Sequence, residues 1–228
     1  MGIVKSTWLS DHLKTLSLSD EHKQYLKKRG VDQNSSISFY TWNRMKHSSP
    51  CDKFNSSFGN NGFKLQDLLV FPIYSPRNEL IGIEAQKRLD DGSKRVFQYR
   101  TDSSKWNPFI LNANRAFNSL WNGCDIWLVE GVYDLIALEK VLPSCDTVIS
   151  TMRAGMDQIT VDMLTRYKNK TSTIYIAYDN DETGSKKASW LKSNFLKNGM
   201  NCEIWKYRGG DPNDVWVKGG EKLLRKYF

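Results

Sequence analysis

From Cys124 to the last residue one pattern governs the chain: short apolar runs alternate with longer helical stretches. DIWLVE, DTVIST, TIYIAY and CEIWKY read as strands, while VYDLIALEKVL, MDQITVDMLTRYK, TGSKKASWLKSNFLKNG and NDVWVKGGEKLLRKYF read as helical. Parallel strands cannot be joined by a tight turn and need a crossover, usually a helix. The alternation therefore predicts an α/β domain, a parallel sheet covered by helices on both faces. In such a sheet functional groups gather beyond the carboxyl ends of the strands. Acids stand at those places here. Glu130 follows IWLV, Asp179 and Asp181 follow IYIAY, and Asp211 and Asp214 follow EIWKY and a Gly-Gly turn. Asp134, one helical turn past Glu130, faces the same crevice.

Carboxylates drawn from three strand ends repel one another, and a divalent cation relieves that repulsion. Hard oxygen donors with few histidines favour Mg²⁺ or Mn²⁺ over zinc. Such an ion commonly holds phosphates and stabilises in-line displacement at phosphorus. Gly131 and Gly184 let the backbone turn close to the site. Each acid also has a plainer reading. Asp134 suits a helix start, Asp181 and Asp214 suit N-caps, and Glu182, Lys186 and Lys187 suit a solvated helix surface. Capping alone does not explain why three separate strand ends finish in acids.

The grammar upstream is different. SLSDEHKQYLKKRG reads as a helix with a capping serine or aspartate and a closing Gly30. Residues 50–62, rich in Ser, Asn and Gly, read as a loop. LLVFPIYSPRNELIGIEAQKRLDDGSKRVFQYRT holds β-rich runs around turns at SPRN and DDG, a meander of short antiparallel strands. A short helix is expected within 107–122. The chain thus divides into a mixed α+β N-terminal subdomain, 1–122, and an α/β domain, 123–228. Charge divides with it, the first part carrying +7 and the second +1 of the net +8. That asymmetry points to a polyanion held by the first part and processed at the second.

Cys51, Cys124, Cys145 and Cys202 form no CxxC pair, and His22 and His47 do not complete a zinc site. They read as reduced, mostly buried thiols. No apolar run approaches the roughly 18 residues a membrane span needs. The N-terminus lacks a signal-peptide core. The expected location is the cytoplasm.

The acidic constellation resembles the TOPRIM family. VEGVYDLIAL is similar to its first motif, a Glu-Gly followed by an acid in the next turn, and AYDNDETGSKKA to its second, DxDxxG. GGDPNDVW looks like the third acidic motif of bacterial DnaG-type DNA primases, and STMRAGM sits where those carry a Gly-rich turn. Upstream, YLKKRGVD is similar to the YLxxRG opening of the primase catalytic core, and VFPIYSPRNELIGIEAQKR to its FPI segment. The resemblance spans residues 21–228. Glu-Gly-x-x-Asp followed by a strand-end DxDxxG is specific for TOPRIM; the FPI segment favours primases over topoisomerases, recombination-mediator proteins and nucleases.

The resemblance implies an enzyme that makes short RNA primers on single-stranded DNA from ribonucleoside triphosphates. Glu130, Asp134, Asp179 and Asp181 would be catalytic, and Glu130, Asp179, Asp181, Asp211 and Asp214 would hold Mg²⁺ or Mn²⁺, with Glu130 open between ligand and general base. The basic subdomain would hold template and nucleotide, with Arg77, Lys87, Arg88, Arg95, Arg100 and Arg115 as candidates. Three departures stand out. The zinc-binding module usual in bacterial primases is absent, which implies a separate zinc-binding protein, another mode of template binding, or loss of sequence-specific initiation. Asn213 occupies the place of a usual acid, and Gly210 that of a usual basic residue. The chain ends at Phe228, with no helicase-binding domain, although a replicative helicase remains a possible partner; so compact a primase would suit a phage or mobile element. The alternatives are a metal-dependent TOPRIM nuclease, or a non-catalytic nucleic-acid-binding module.

Overall fold

The computed structural model describes residues 5–32, 34–42, 68–88, 93–102, 109–152, 158–167 and 171–228. The loop expected over 50–62, the DDG turn, His47, Cys51 and most of the STMRAGM segment lie outside them. The chain forms two compact units, Met1–Tyr25 with Ser36–Asn107, and Leu26–Ser35 with Pro108–Phe228.

The first unit carries an antiparallel sheet, β1 (Tyr40–Trp42), β2 (Leu68–Tyr74), β3 (Leu80–Arg88) and β4 (Lys94–Arg100), in the order β1-β2-β3-β4. The expected meander is present. Pro72 lies within β2, where it pairs with Ile83 of β3, whereas β1 reaches only Leu68–Val70. Proline therefore falls where the other side of the strand needs no donor for β1. Helix α1 (Ser6–Leu13) lays Leu9 and Leu13 against Val70, Ile83, Ala85 and Tyr99. Helix α2 (Asp20–Lys28) begins where expected: the Oγ of Ser19 accepts from the N–H of His22 at 3.3 Å.

The second unit contains β5 (Ile126–Val129), β6 (Thr147–Ser150), β7 (Thr173–Ile176) and β8 (Asn201–Ile204), all parallel, in the order β6-β5-β7-β8. The helices are α3 (Ala113–Trp121), α4 (Val132–Glu139), α5 (Gln158–Arg166), α6 (Glu182–Lys197) and α7 (Pro212–Leu224). Side chains alternate along a strand. Ile126, Leu128, Ile174, Ile176 and Cys202 accordingly face a core built with Ala116 and Leu120 of α3, Val161 and Leu164 of α5, and Leu191 and Phe195 of α6. Trp127 and Tyr175 alternate with them and stack at 4.4 Å. Helices α4 and α7 pack on each other. Of the described cysteines Cys202 is buried, Cys124 half-buried and Cys145 exposed, so the expectation of mostly buried thiols holds for Cys202 alone.

The unit boundary differs from the expected 122. Helix α3 packs on β5 and β6 and so joins the second unit. The segment 26–35 joins it too, through groups far apart in sequence. Lys140 Nζ donates to the Gly30 carbonyl at 2.8 Å and pairs with Asp32 at 2.6 Å. Gly30 has φ +73° and lies against the Trp216 indole, where a Cβ would overlap the ring. The guanidinium of Arg29 stands 4.8 Å over the Tyr133 ring.

Candidate metal centre

Each acid is delivered by the junction of a strand and a helix. β5 ends at Val129, so Glu130 emerges from the sheet and Asp134 falls in the first turn of α4. After β7 the chain runs through buried Ala177 and Tyr178 to Asp179, and Asp181 then caps α6, its Oδ1 accepting from Gly184 N at 2.6 Å. After β8 the chain reaches Asp211, which caps α7 by accepting from Asp214 N at 2.6 Å. These helix starts point their partial positive charge at the acids and favour ionised carboxylates there. β5 and β7 flank the place where the strand order reverses, the usual position of an α/β binding crevice.

Three of the carboxylates converge. Asp134, Asp179 and Asp211 each offer an oxygen within 4.8 Å of the others. Asp134 is only 7% exposed and accepts from the Asn213 N–H at 3.1 Å. Burial holds its carboxyl well above the usual range, and the charges of Asp211 and Asp179 push it further. Glu130 is half-buried. Burial raises its carboxyl too, helped by Asp179 and Asp181, while Lys187 and a hydrogen bond from the Asp179 backbone pull it down. The donor set is all oxygen and crowded with negative charge, which fits a hard divalent cation. The plainer reading of Asp181 is realised in its cap; the cap expected of Asp214 is instead made by Asp211, which also belongs to the trio. Asp214 lies in the first turn of α7, outside the trio. Asp134, named from sequence as catalytic, is one of the three converging carboxylates.

Asn213 is buried to 1% exposure, and its Nδ2 donates to the Arg29 carbonyl at 2.8 Å. A carboxylate there would set two acceptors against each other, so the amide in place of the usual acid has a structural cause. Sequence reasoning did not foresee this use of Arg29. Tyr207 was also missed. It is buried, its hydroxyl donates to the Tyr178 carbonyl at 3.2 Å, and its own carbonyl accepts from Asn180 Nδ2 at 2.6 Å. Its only sequence signal is an aromatic residue four positions before Asp211.

The basic candidates are divided between the units. Arg77 lies in the β2–β3 turn, its N–H donating to Ser75 Oγ at 3.1 Å. Lys87 and Arg95 are cross-strand partners, and Arg88 lies opposite Lys94 with its guanidinium 4.7 Å over the Tyr25 ring. Arg100 lies opposite Gly82. All five belong to the first unit, and all but Lys87 are exposed. Arg115 belongs to the second unit, on α3, and pairs with Glu139 at 2.8 Å.

Residues 127–216 match the Toprim-like family. The DNA primase of Staphylococcus aureus (strain COL) is 21% identical over 165 residues, which cover 72% of this chain and 27% of that protein. The chain thus spans about a quarter of that relative's length. Among solved structures, the RNA polymerase domain of Mycobacterium tuberculosis primase DnaG superposes with a TM-score of 0.71 at 18% identity, over 97% of this chain and 80% of that one. A DnaG primase catalytic domain bound to single-stranded DNA gives a TM-score of 0.66 at 17% identity, over 97% of this chain and 77% of that one.

Proposed function

From a Toprim-like domain at residues 127–216, set in a chain with the DnaG catalytic-core fold, we propose that this protein is a primase that joins ribonucleotides into short primers on single-stranded DNA. The convergence of Asp134, Asp179 and Asp211 at the strand ends carries the reading. These three would hold Mg²⁺ or Mn²⁺, with Glu130 and Asp181 beside them. When bound, the ion neutralises the triphosphate and makes a primer 3′-hydroxyl easier to deprotonate. Glu130, half-buried and held above the usual carboxyl range, would take up that proton. Asp181 fixes the start of α6 and adds negative charge next to Asp179.

Template and nucleotide phosphates would be held by the basic first unit, through Arg77, Lys87, Arg88, Arg95 and Arg100. The first unit, residues 1–25 with 36–107, carries +4 of the net +8, equal to the second, so overall charge does not single it out; the single-stranded DNA bound by a DnaG domain of the same fold supports the reading. Arg115, engaged with Glu139, would take part less directly. A replicative helicase and a zinc-bearing initiation factor are the partners such an enzyme would use, and phage or mobile-element replication is the setting we favour.

The test supplies single-stranded DNA, labelled ribonucleotides and Mn²⁺ or Mg²⁺. Short RNA products are expected from the wild-type chain, and their loss from the double variant Asp179→Ala, Asp181→Ala. Undiminished synthesis by that variant would remove the acids from the mechanism. Shortening of the input DNA without synthesis would identify a nuclease.

A further inference from the structure

We propose that Tyr207 is a positioning residue for the acid trio, clamping the loop that carries Asp179 from both sides. The inference rests on reading the trio as a cation site. Asp179 stands between two residues that are both tied to this one tyrosine. Tyr178, before it, receives the Tyr207 hydroxyl hydrogen bond on its carbonyl at 3.2 Å. Asn180, after it, donates its amide to the Tyr207 carbonyl at 2.6 Å. Tyr207 lies four residues before Asp211. The clamp thus links the β7–α6 loop, which carries one ligand, to the β8–α7 loop, which carries another. Tyr178 is itself held from the β6 side, its hydroxyl 3.0 Å from the Thr151 hydroxyl.

Such a clamp has work to do. Without a cation, Asp134, Asp179 and Asp211 repel one another, and Asp179 and Asp211 stand on connections between a strand and a helix. A lysine would also tie the loops, but its charge would neutralise the acids and compete with the cation. The tyrosine hydroxyl is neutral. Burial, and then the four acids Asp134, Asp179, Asp211 and Glu130, drive its ionisation far above the usual range. Tyr207 therefore fixes the geometry and leaves the negative charge for the ion. At 4% exposure, with its ring against Trp205 at 4.8 Å, it has little freedom to swing away.

The experiment measures Mn²⁺ binding by calorimetry and electron paramagnetic resonance, well below the melting temperature, for the wild type and three variants. Tyr207→Phe removes only the hydroxyl, and Asn180→Ala removes the other tie from an exposed position that tolerates change. Ser119→Ala is the control, since it deletes hydrogen bonds to the Cys145 carbonyl and with the Thr147 hydroxyl at the start of β6, the end of the sheet opposite the acids. We expect Mn²⁺ affinity to fall about three- to tenfold in Tyr207→Phe and in Asn180→Ala, the loss of one hydrogen bond each. We expect no change in Ser119→Ala, and an altered Mn²⁺ spectrum in the first two. Wild-type affinity in both clamp variants would overturn the inference while leaving the metal site standing. Equal losses in all three would reduce Tyr207 to a general structural role and overturn it as well. Absence of Mn²⁺ binding by the wild type would overturn the underlying reading, a separate result. Should Tyr207→Phe fail to fold, Asn180→Ala decides the outcome.

Discussion

Burying Asp134 between Asp179 and Asp211 makes its ionisation costly, and that cost has a measurable sign. Its folded carboxyl titrates above the ordinary range near 4, so between the two values the folded protein holds a proton that the unfolded chain has released. This contribution to stability is present at low pH and is lost as pH rises toward the folded value; Glu130 acts in the same direction. Asp134→Asn keeps an acceptor for the Asn213 N–H and removes the charge. Without metal at neutral pH, the variant should melt above the wild type by about 1–2 kcal/mol, or about 2–8 °C for a chain of this size. The difference should shrink as pH is lowered toward about 5. Metal should no longer raise its melting temperature. Calorimetric melts with and without Mn²⁺ across that pH range check all three outcomes, and a wild type more stable than Asp134→Asn at neutral pH would contradict the account. The same residue shows what sequence could and could not reveal. Its place one turn past Glu130 was legible from helical spacing. Its membership of the converging trio was not, because an aspartate in a first helical turn looks alike whether it serves a helix or an ion.

At the scale of elements, the strand-to-helix junctions carry the site, and their tightness is a requirement. Gly184, in the first turn of α6, lies so close to the Asp179 carbonyl that an added Cβ would overlap it. The obstacle is backbone, which cannot rotate aside as a side chain can. Gly184→Ala should therefore push α6 from the β7 loop, lower stability by about 1–3 kcal/mol, and weaken Mn²⁺ binding at the same time. Thermal melts and metal titration together test this, and a variant that loses neither would show that the junction is slack. The elements themselves were legible. All four parallel strands and their helices lie where the alternation of apolar runs places them, since each pattern reports a local fit to one face of a layer. The regularity of α7 was less legible: Gly220 departs from helical geometry, with φ 60° and ψ −157°, inside what reads as one continuous helix.

At the scale of the molecule, the least legible feature is that the second unit is discontinuous in sequence. Nothing in the periodicity of YLKKRGVD says which half it serves, because docking of a short segment depends on partners more than a hundred residues away. A fragment beginning at residue 108 should therefore be incomplete. It would leave the Asn213 amide without the Arg29 carbonyl and uncover the face of Trp216 on which Gly30 rests. We expect it to melt well below the full chain and to bind Mn²⁺ more weakly, with partial recovery on adding a peptide of residues 26–35; full stability of the fragment alone would refute this. The segment also has a consequence in time. Arg29 and Asn213, joined by one hydrogen bond, lie 184 residues apart. At a synthesis rate of roughly 5–20 residues per second, Arg29 exists for about ten to forty seconds before its partner is made. The earliest-made strip of the unit is then among the last to be fastened, so a nascent chain must carry it unfastened until Asn213 has been made.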